Sequence, residues 1–489
     1  MNVNKLLRNK NILFLISIVC IFLMSTIMGL SDWDFVWQSR LGKYIVTEHD
    51  FNGLRHLVWG TQGIDVYYDH EWLTNVFFYI ATVLFGETGG IIAIKLLIEL
   101  SLGIVTYMFV TQFFKSVDDI DVSAFFSIVV VTYLFVNSLV KPKAYDISLI
   151  FFMLLLILLD KRCKDTISFR KFSLYIALLV VLWNNFHSGS IILIFGVTGL
   201  FWLLYWRDLK TVILGIICLL LLLVNPFGYK LIYFDLTHAF DNVMKKVILD
   251  WRGLDLSVMA GKAICIMLIV MFIHLLNMKI TKNNVAYVIL FAGFCIMTIS
   301  SMRHFLYLYP IGIYIIIQGQ YKDVKFIKML SYSTITYLIS VFTLVLLVMF
   351  GVNFHNIETE YAKDYITPTL EALLDKTLKD NDGLFTDDIN IWSSGYKSFQ
   401  SGAFPYNRDR VLDSYTLITG SDTQISTLID YYGLNKFLFY KTHVDDRTTY
   451  LLNSNLYDYM MSRPDDYVLL YDDDVLVYFV TTEVYDEIK

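Results

Sequence analysis

The chain has 489 residues, of which 56% are hydrophobic and 17% charged, with a formal net charge of −6. No water-soluble globular domain carries that composition, so the sequence reads as an integral membrane protein. Nucleic acid is not an expected partner.

Apolar runs long enough to span a bilayer, or nearly so, fall at residues 11–30, 90–113, 122–140, 144–159, 172–186, 188–206, 211–224, 261–278, 284–300, 304–319 and 329–351. That makes about eleven crossings. The first run has the basic start and apolar core of a signal peptide, but the core is long for that role and is read as a retained helix. Residues 72–86 are also apolar and are read as an interfacial helix in a long first outer loop, about 31–89. Counted as a crossing, they would put the basic run Lys161 to Lys171 outside.

With the amino terminus inside, the inner segments hold Lys5, Arg8, Lys10, Lys115, Lys161, Arg162, Lys164, Arg170, Lys171, Arg207, Lys210, Lys279, Lys282, Lys322, Lys325 and Lys328. Their density is about three times that of the outer segments, as the positive-inside rule requires. The expected location is the cell membrane, multipass, with a cytoplasmic amino terminus and an extracytoplasmic carboxyl-terminal domain.

Two domains follow. Residues 1–352 form the transmembrane catalytic domain. Residues 353–489 hold 24 acidic and 11 basic side chains, net −13, which leaves the first 352 at +7. The tail reads as a small α/β domain in water. Its apolar spacing predicts helices near 359–380, 421–433 and 447–462, a strand near 435–440, and a hairpin of Tyr467–Tyr471 with Val475–Phe479 turned at Asp472, Asp473 and Asp474. Cys20, Cys163, Cys218, Cys265 and Cys295 all lie in helices or inner segments, so no disulfide framework is expected outside.

In this topology the unusual polar residues share the outer side. They are Asp32, Asp34, then Asp69-His70-Glu71-Trp72, Lys141-Pro142-Lys143, Trp183 to Gly189 with His187, Asn225-Pro226-Phe227-Gly228, Asp250-Trp251-Arg252, and Arg303-His304. Inner loops are too short for a nucleotide-binding domain, and no phosphate-binding glycine pattern appears. A synthetic reaction outside the cell needs an activated group carried through the membrane, and a lipid-linked phosphate sugar is the obvious carrier. Such a donor needs a base for the acceptor and cations for the departing phosphate. Asp34 and Asp32 are the candidate bases. Asp69, His70, Glu71, Lys141, Lys143, His187, Arg252, Arg303 and His304 are candidate substrate-binding residues.

Structural roles compete with these. Asp32 or Asp34 can cap the next helix, Asp69-His70-Glu71 suits a helix start, and Lys141 and Lys143 can reach up to headgroups. Lys95 and Glu99, one turn apart, read as an ion pair within a span. One histidine among carboxylates, with no second histidine at ligand spacing, is a weak metal pattern. No metal ligand is assigned, although a helping divalent cation, magnesium or manganese, is left open.

Asp32-Trp33-Asp34-Phe35-Val36-Trp37, Gly42-Lys43-Tyr44-Ile45, His70-Glu71-Trp72-Leu73, Asn185 to Gly189, Asn225 to Gly228, Trp251-Arg252 and Arg303-His304 follow one another in an order that resembles the GT-C superfamily of multipass glycosyltransferases. The resemblance implies inverting transfer of a sugar from a polyprenyl-phosphate donor to a glycan or lipid-linked acceptor of the cell envelope. It also implies a base in the first loop, Asp34 before Asp32. Two positions depart from the pattern. Lys141-Pro142 stands where Arg-Pro is common, and Gln38 where a histidine is common. The first loses the two-pronged phosphate contact of arginine. A polysaccharide polymerase or ligase would use the same outward groups. A lipid or sugar flippase would instead show a midplane site and inverted repeats.

Overall fold

The computed structural model describes residues 10–28, 34–58, 68–113, 120–141, 143–239, 251–320, 335–341, 343, 367–378, 383–386, 399, 408–444, 451–473 and 476–489. They are mostly helical with a small mixed sheet. Two compact units emerge: Met1–Asp32, His70–Ala239 and Arg252–Ile357 in the first; Trp33–Asp69, Phe240–Trp251 and Glu358–Lys489 in the second.

In chain order the helices of the amino-terminal part are α1 (Lys10–Met28), α2 (Asp34–Glu48), α3 (Trp72–Phe113), α4 (Val122–Leu139), α5 (Ala144–Cys163), α6 (Phe169–Phe186), α7 (Ile192–Phe201), α8 (Leu209–Leu221), α9 (Tyr229–Ala239), α10 (Met259–Asn277), α11 (Val285–Ser300) and α12 (Phe305–Gln318). All but α2 belong to the first unit. The apolar runs are therefore helices, except the run at 329–351, most of which lies outside the described residues. Among the described residues, α3, α4 and α10 are long and apolar enough to cross a membrane, against about eleven crossings expected. The described apolar parts of α1, α7, α8 and α11 are shorter. Helix α5 carries Asp146, Asp160, Lys161 and Arg162 within its own bounds.

Helix α12 is the hub of this unit. Every residue from Phe305 to Ile317 is buried, as expected for a helix that is apolar all round. His274 of α10 ties two neighbours to it, pairing through Nδ1 with the Gly319 carbonyl at 2.8 Å and through Nε2 with Ser127 Oγ of α4 at 2.9 Å. In α3, Lys95 Nζ and Glu99 Oε1 lie 3.9 Å apart, both buried, the ion pair their spacing suggests.

A straight α3 of 42 residues would run about 63 Å, far more than a bilayer. It is not straight. Gly86 adopts φ 75°, ψ 176°, a conformation reserved for glycine. A Cβ on Gly90 would stand 2.9 Å from the Thr82 amide nitrogen and 3.0 Å from the Ala81 carbonyl carbon. In a continuous helix those residues would be about 12 Å apart along the axis, so the two arms fold back on each other. Backbone cannot yield as a side chain can. Gly90→Ala is expected to cost about 1–3 kcal/mol, read as a lower thermal midpoint, while Gly196→Ala, which meets nothing within 4 Å, serves as control.

The second unit adds α13 (Pro368–Thr377), β1 (Leu384–Thr386), α14 (Arg408–Thr419), α15 (Asp422–Tyr432), β2 (Lys436–Tyr440), β3 (Thr442–Val444), β4 (Leu451–Asn453), α16 (Asn455–Met461), β5 (Tyr467–Asp472), β6 (Leu476–Thr481) and α17 (Thr482–Ile488). The four-stranded sheet runs β1-β2-β6-β5, with β1 parallel to β2 and the other pairs antiparallel. The expected 435–440 strand and the hairpin are present, and Asp473 closes the turn by accepting the Leu476 amide at 2.7 Å. Of the expected helix at 447–462, residues 447–450 lie outside the described residues and the next three are strand. Leu451–Asn453 pair with Thr442–Val444, and the helix starts only at Asn455.

Side chains alternate along each strand, so the two faces separate cleanly. Phe437, Phe439, Val477 and Phe479 enter a core with Leu417 of α14, Ile425 and Ile429 of α15, and Leu456 and Met460 of α16. Leu438, Tyr478 and Val480 enter the other, with Leu370 and Leu374 of α13 and with Leu41, Leu54, Leu57 and Val58. These last four come from α2, the 3-10 turn Gly53–His56 that follows it and the two residues just after that turn. The segment assigned from sequence to the amino-terminal domain thus completes the core of the carboxyl-terminal unit. Trp37, Leu41 and Tyr44, at helical spacing on α2, form the face turned to it.

Candidate functional site

The start of α3 and the end of α6 are locked together in the first unit. Trp72 Nε1 donates to Asn185 Oδ1 at 2.9 Å, Thr74 Oγ1 to the Phe186 carbonyl at 2.7 Å, and the Ser188 amide to the His70 carbonyl at 2.9 Å. Asn184 and Asn185 reach the other way. Their amide groups donate to the carbonyls of Leu222 (3.0 Å) and Val224 (2.8 Å), fixing the end of α8. Next, Asn225 Oδ1 accepts the Phe227 amide, and Gly228 turns with φ 58° to launch α9. The Asn-rich and Asn-Pro-Phe-Gly pieces are therefore the scaffold.

That scaffold gathers His70, Glu71 and His187. Glu71 Oε1 lies 3.4 Å from His70 Nε2 and 3.6 Å from His187 Nε2. The two imidazole rings are 5.8 Å apart by centroid. Behind them, buried Ser148 Oγ pairs with His187 Nδ1 at 2.6 Å and accepts Trp183 Nε1 at 2.9 Å. Whichever way the first bond runs, it occupies Nδ1 and turns Nε2 toward Glu71. One ligand-capable atom from each of the three residues lies within 4.8 Å of the others, so they could hold a metal ion.

Burial alone would push the Glu71 carboxyl up. The charge and hydrogen bond of His70, then His187 and Lys143, outweigh it and hold the carboxyl at about 2. His187 is pushed down to about 3, by burial first, while Glu71 pulls upward and His70 and Arg303 push further down. At neutral pH the site therefore presents an anionic carboxylate and a neutral imidazole. Asp235 of α9 joins them. Burial raises its carboxyl to about 6, against the pull of His70.

An open groove of about 510 Å³ adjoins the locked helix ends, walled mainly by Trp72, Val181, Leu182, Leu223, Val224 and Pro226. It is apolar, and Trp72 and Asn185 connect its wall to the residues beside Glu71 and His187.

Of the other residues named from sequence, Lys143 caps the backbone entry to α5 and reaches Glu71 electrostatically, as Arg303 reaches His187. Lys141 is exposed, and its amide donates to Asp146 Oδ2 at 2.9 Å. Arg252 is joined to the Arg303-His304 turn by backbone, its carbonyl accepting the Met302 amide at 3.0 Å. Asp69 is buried and is counted with the second unit. Asp34 is the first residue of α2 in that unit; its side chain, like all of Asp32, lies outside the described residues. Asp235 and Ser148 were not singled out from sequence. The signal for Asp235 was a lone carboxylate in the otherwise apolar turn Ile232-Tyr233-Phe234-Asp235-Leu236. No model of a known protein family matches this chain, and no curated protein matches it either.

Proposed function

We propose that this chain is a multipass membrane glycosyltransferase. It moves a sugar from a polyprenyl-phosphate donor to a glycan or lipid-linked acceptor on the outer side of the cell membrane. The observation that carries this reading is the apolar groove beside a partly buried cluster of Glu71, His70 and His187 within electrostatic reach of Lys143 and Arg303. A ligand suited to both has a long apolar tail and an anionic head. About eleven crossings, with the amino terminus inside, would put the polar cluster outside.

In the reaction, the acceptor hydroxyl gives its proton to a carboxylate, and its oxygen attacks the anomeric carbon. The bond from that carbon to the phosphate oxygen breaks, and polyprenyl phosphate leaves with the electron pair. The configuration inverts in one displacement. The resemblance assigns the base to Asp34, with Asp32 second. Cations near the phosphate stabilise the charge that grows on it.

Purified protein in nanodiscs, given a radiolabelled polyprenyl-phosphate hexose and a candidate acceptor, is expected to release polyprenyl phosphate. Asp34→Asn is expected to lower the rate by about 10²–10⁴-fold. Transfer at the wild-type rate by a well-folded Asp34→Asn protein would remove that residue as base. Donor carried across the bilayer intact, without cleavage, would favour a flippase.

A further inference from the structure

We propose that His70 Nε2, Glu71 Oε1 and His187 Nε2 form a zinc site. The two histidines are far apart in the chain, and only the lock between α3 and α6 brings them together. Tetrahedral zinc, with bonds of about 2.0–2.1 Å, sets its ligand atoms about 3.4 Å apart. The Glu71 oxygen meets both histidines at 3.4 and 3.6 Å, and the remaining pair lies within 4.8 Å, so an inward tilt of the half-exposed His70 ring closes the set.

The donor set separates zinc from magnesium and manganese. Two imidazoles and one carboxylate suit zinc, whereas magnesium and manganese favour oxygen ligands. The surroundings are those of a metal-bound histidine. Ser148 holds the far nitrogen of His187, buried and itself bonded to Trp183, which fixes the ring and leaves Nε2 directed inward. A Cβ on Gly189 would come within 3.5 Å of His187 Nε2 and 3.8 Å of His70 Cδ2, so glycine keeps that side of the cluster clear. Three protein ligands leave a fourth position for water or a substrate oxygen.

The test uses the full chain, purified through a tag without histidine, stripped with chelator and re-equilibrated with equal zinc and magnesium. About one zinc per chain is expected by elemental analysis. The thermal midpoint should rise by several degrees with zinc and stay put with magnesium, and cobalt(II) should give tetrahedral visible absorption. His70→Gln and Glu71→Gln should each weaken zinc binding at least tenfold while keeping the wild-type helical content by circular dichroism. His187→Ala is a poorer probe, because Ser148 would lose its partner. Wild-type protein that retains no zinc, retains no more than the variants, or prefers magnesium would overturn the site. Each readout is independent of sugar transfer. A zinc-bound chain that transfers nothing sinks the proposed reaction alone, and an active zinc-free chain sinks this site alone.

Discussion

Residues 353–489 expressed by themselves are expected to fail to fold, and the same residues joined to Trp33–Asp69 to melt as one cooperative unit. Strands β2 and β6 are apolar on both faces, and one face is covered by Leu41, Leu54, Leu57 and Val58 from the far end of the chain. Full burial of each such side chain contributes about 1.5–3 kcal/mol, so the four together supply roughly 6–12 kcal/mol. That is comparable to the whole net stability of a domain, about 5–15 kcal/mol. Circular dichroism and limited proteolysis of the isolated tail and the fusion would decide it. In the full chain, Leu57→Ala should cost about 2–5 kcal/mol and open protease sites around β2 and β6. An isolated tail that melts cooperatively at the midpoint of the fusion would show those four contacts to be dispensable. The consequence for function lies in α2. Its Trp37-Leu41-Tyr44 face rests on the tail's core, so the helix that begins at Asp34 takes its position from the tail.

That dependence was not legible in the sequence, for a physical reason. The runs Lys436-Phe437-Leu438-Phe439-Tyr440 and Leu476-Val477-Tyr478-Phe479-Val480 are nearly continuous in apolar residues, which says that both faces are covered but not by what. The cover is almost 400 residues upstream, beyond any local pattern. The helices were more legible, since each apolar run announces itself and Gly86 marks the break between two of them. Their polar ends were less so. Helix α5 runs on to Cys163 past its apolar stretch, because Lys161 and Arg162 in its last turn suit the negative end of the helix dipole. At the site, local sequence showed Asp69-His70-Glu71 and His187 as separate clusters. The second histidine that a metal pattern needs was present but 117 residues from the first. Only tertiary packing of α3 on α6 turns the two into neighbours.

Arg303→Gln is expected to lower the turnover of the proposed transfer by roughly 10²–10³-fold, the scale of losing one preorganised donor to a developing oxyanion. Negative charge on the polyprenyl phosphate grows as the bond to the anomeric carbon breaks, so a fixed cation is worth more in the transition state than in the bound donor. The loss should therefore appear in kcat, with the KM for donor changing less. The 3-10 turn Met302–His304 presents Arg303 between α11 and α12, and the Met302 amide bonds the Arg252 carbonyl, so a second guanidinium-bearing segment is held alongside. Arg303→Lys separates charge from geometry. Lysine keeps the charge but lacks the planar fork, and recovery of only part of the rate would identify two-pronged contact with phosphate. Full activity in Arg303→Gln, measured with saturating donor in nanodiscs, would show that no leaving-group charge is stabilised there. The leaving-group charge would then have to rest on the remaining cations, Lys141, Lys143 and Arg252.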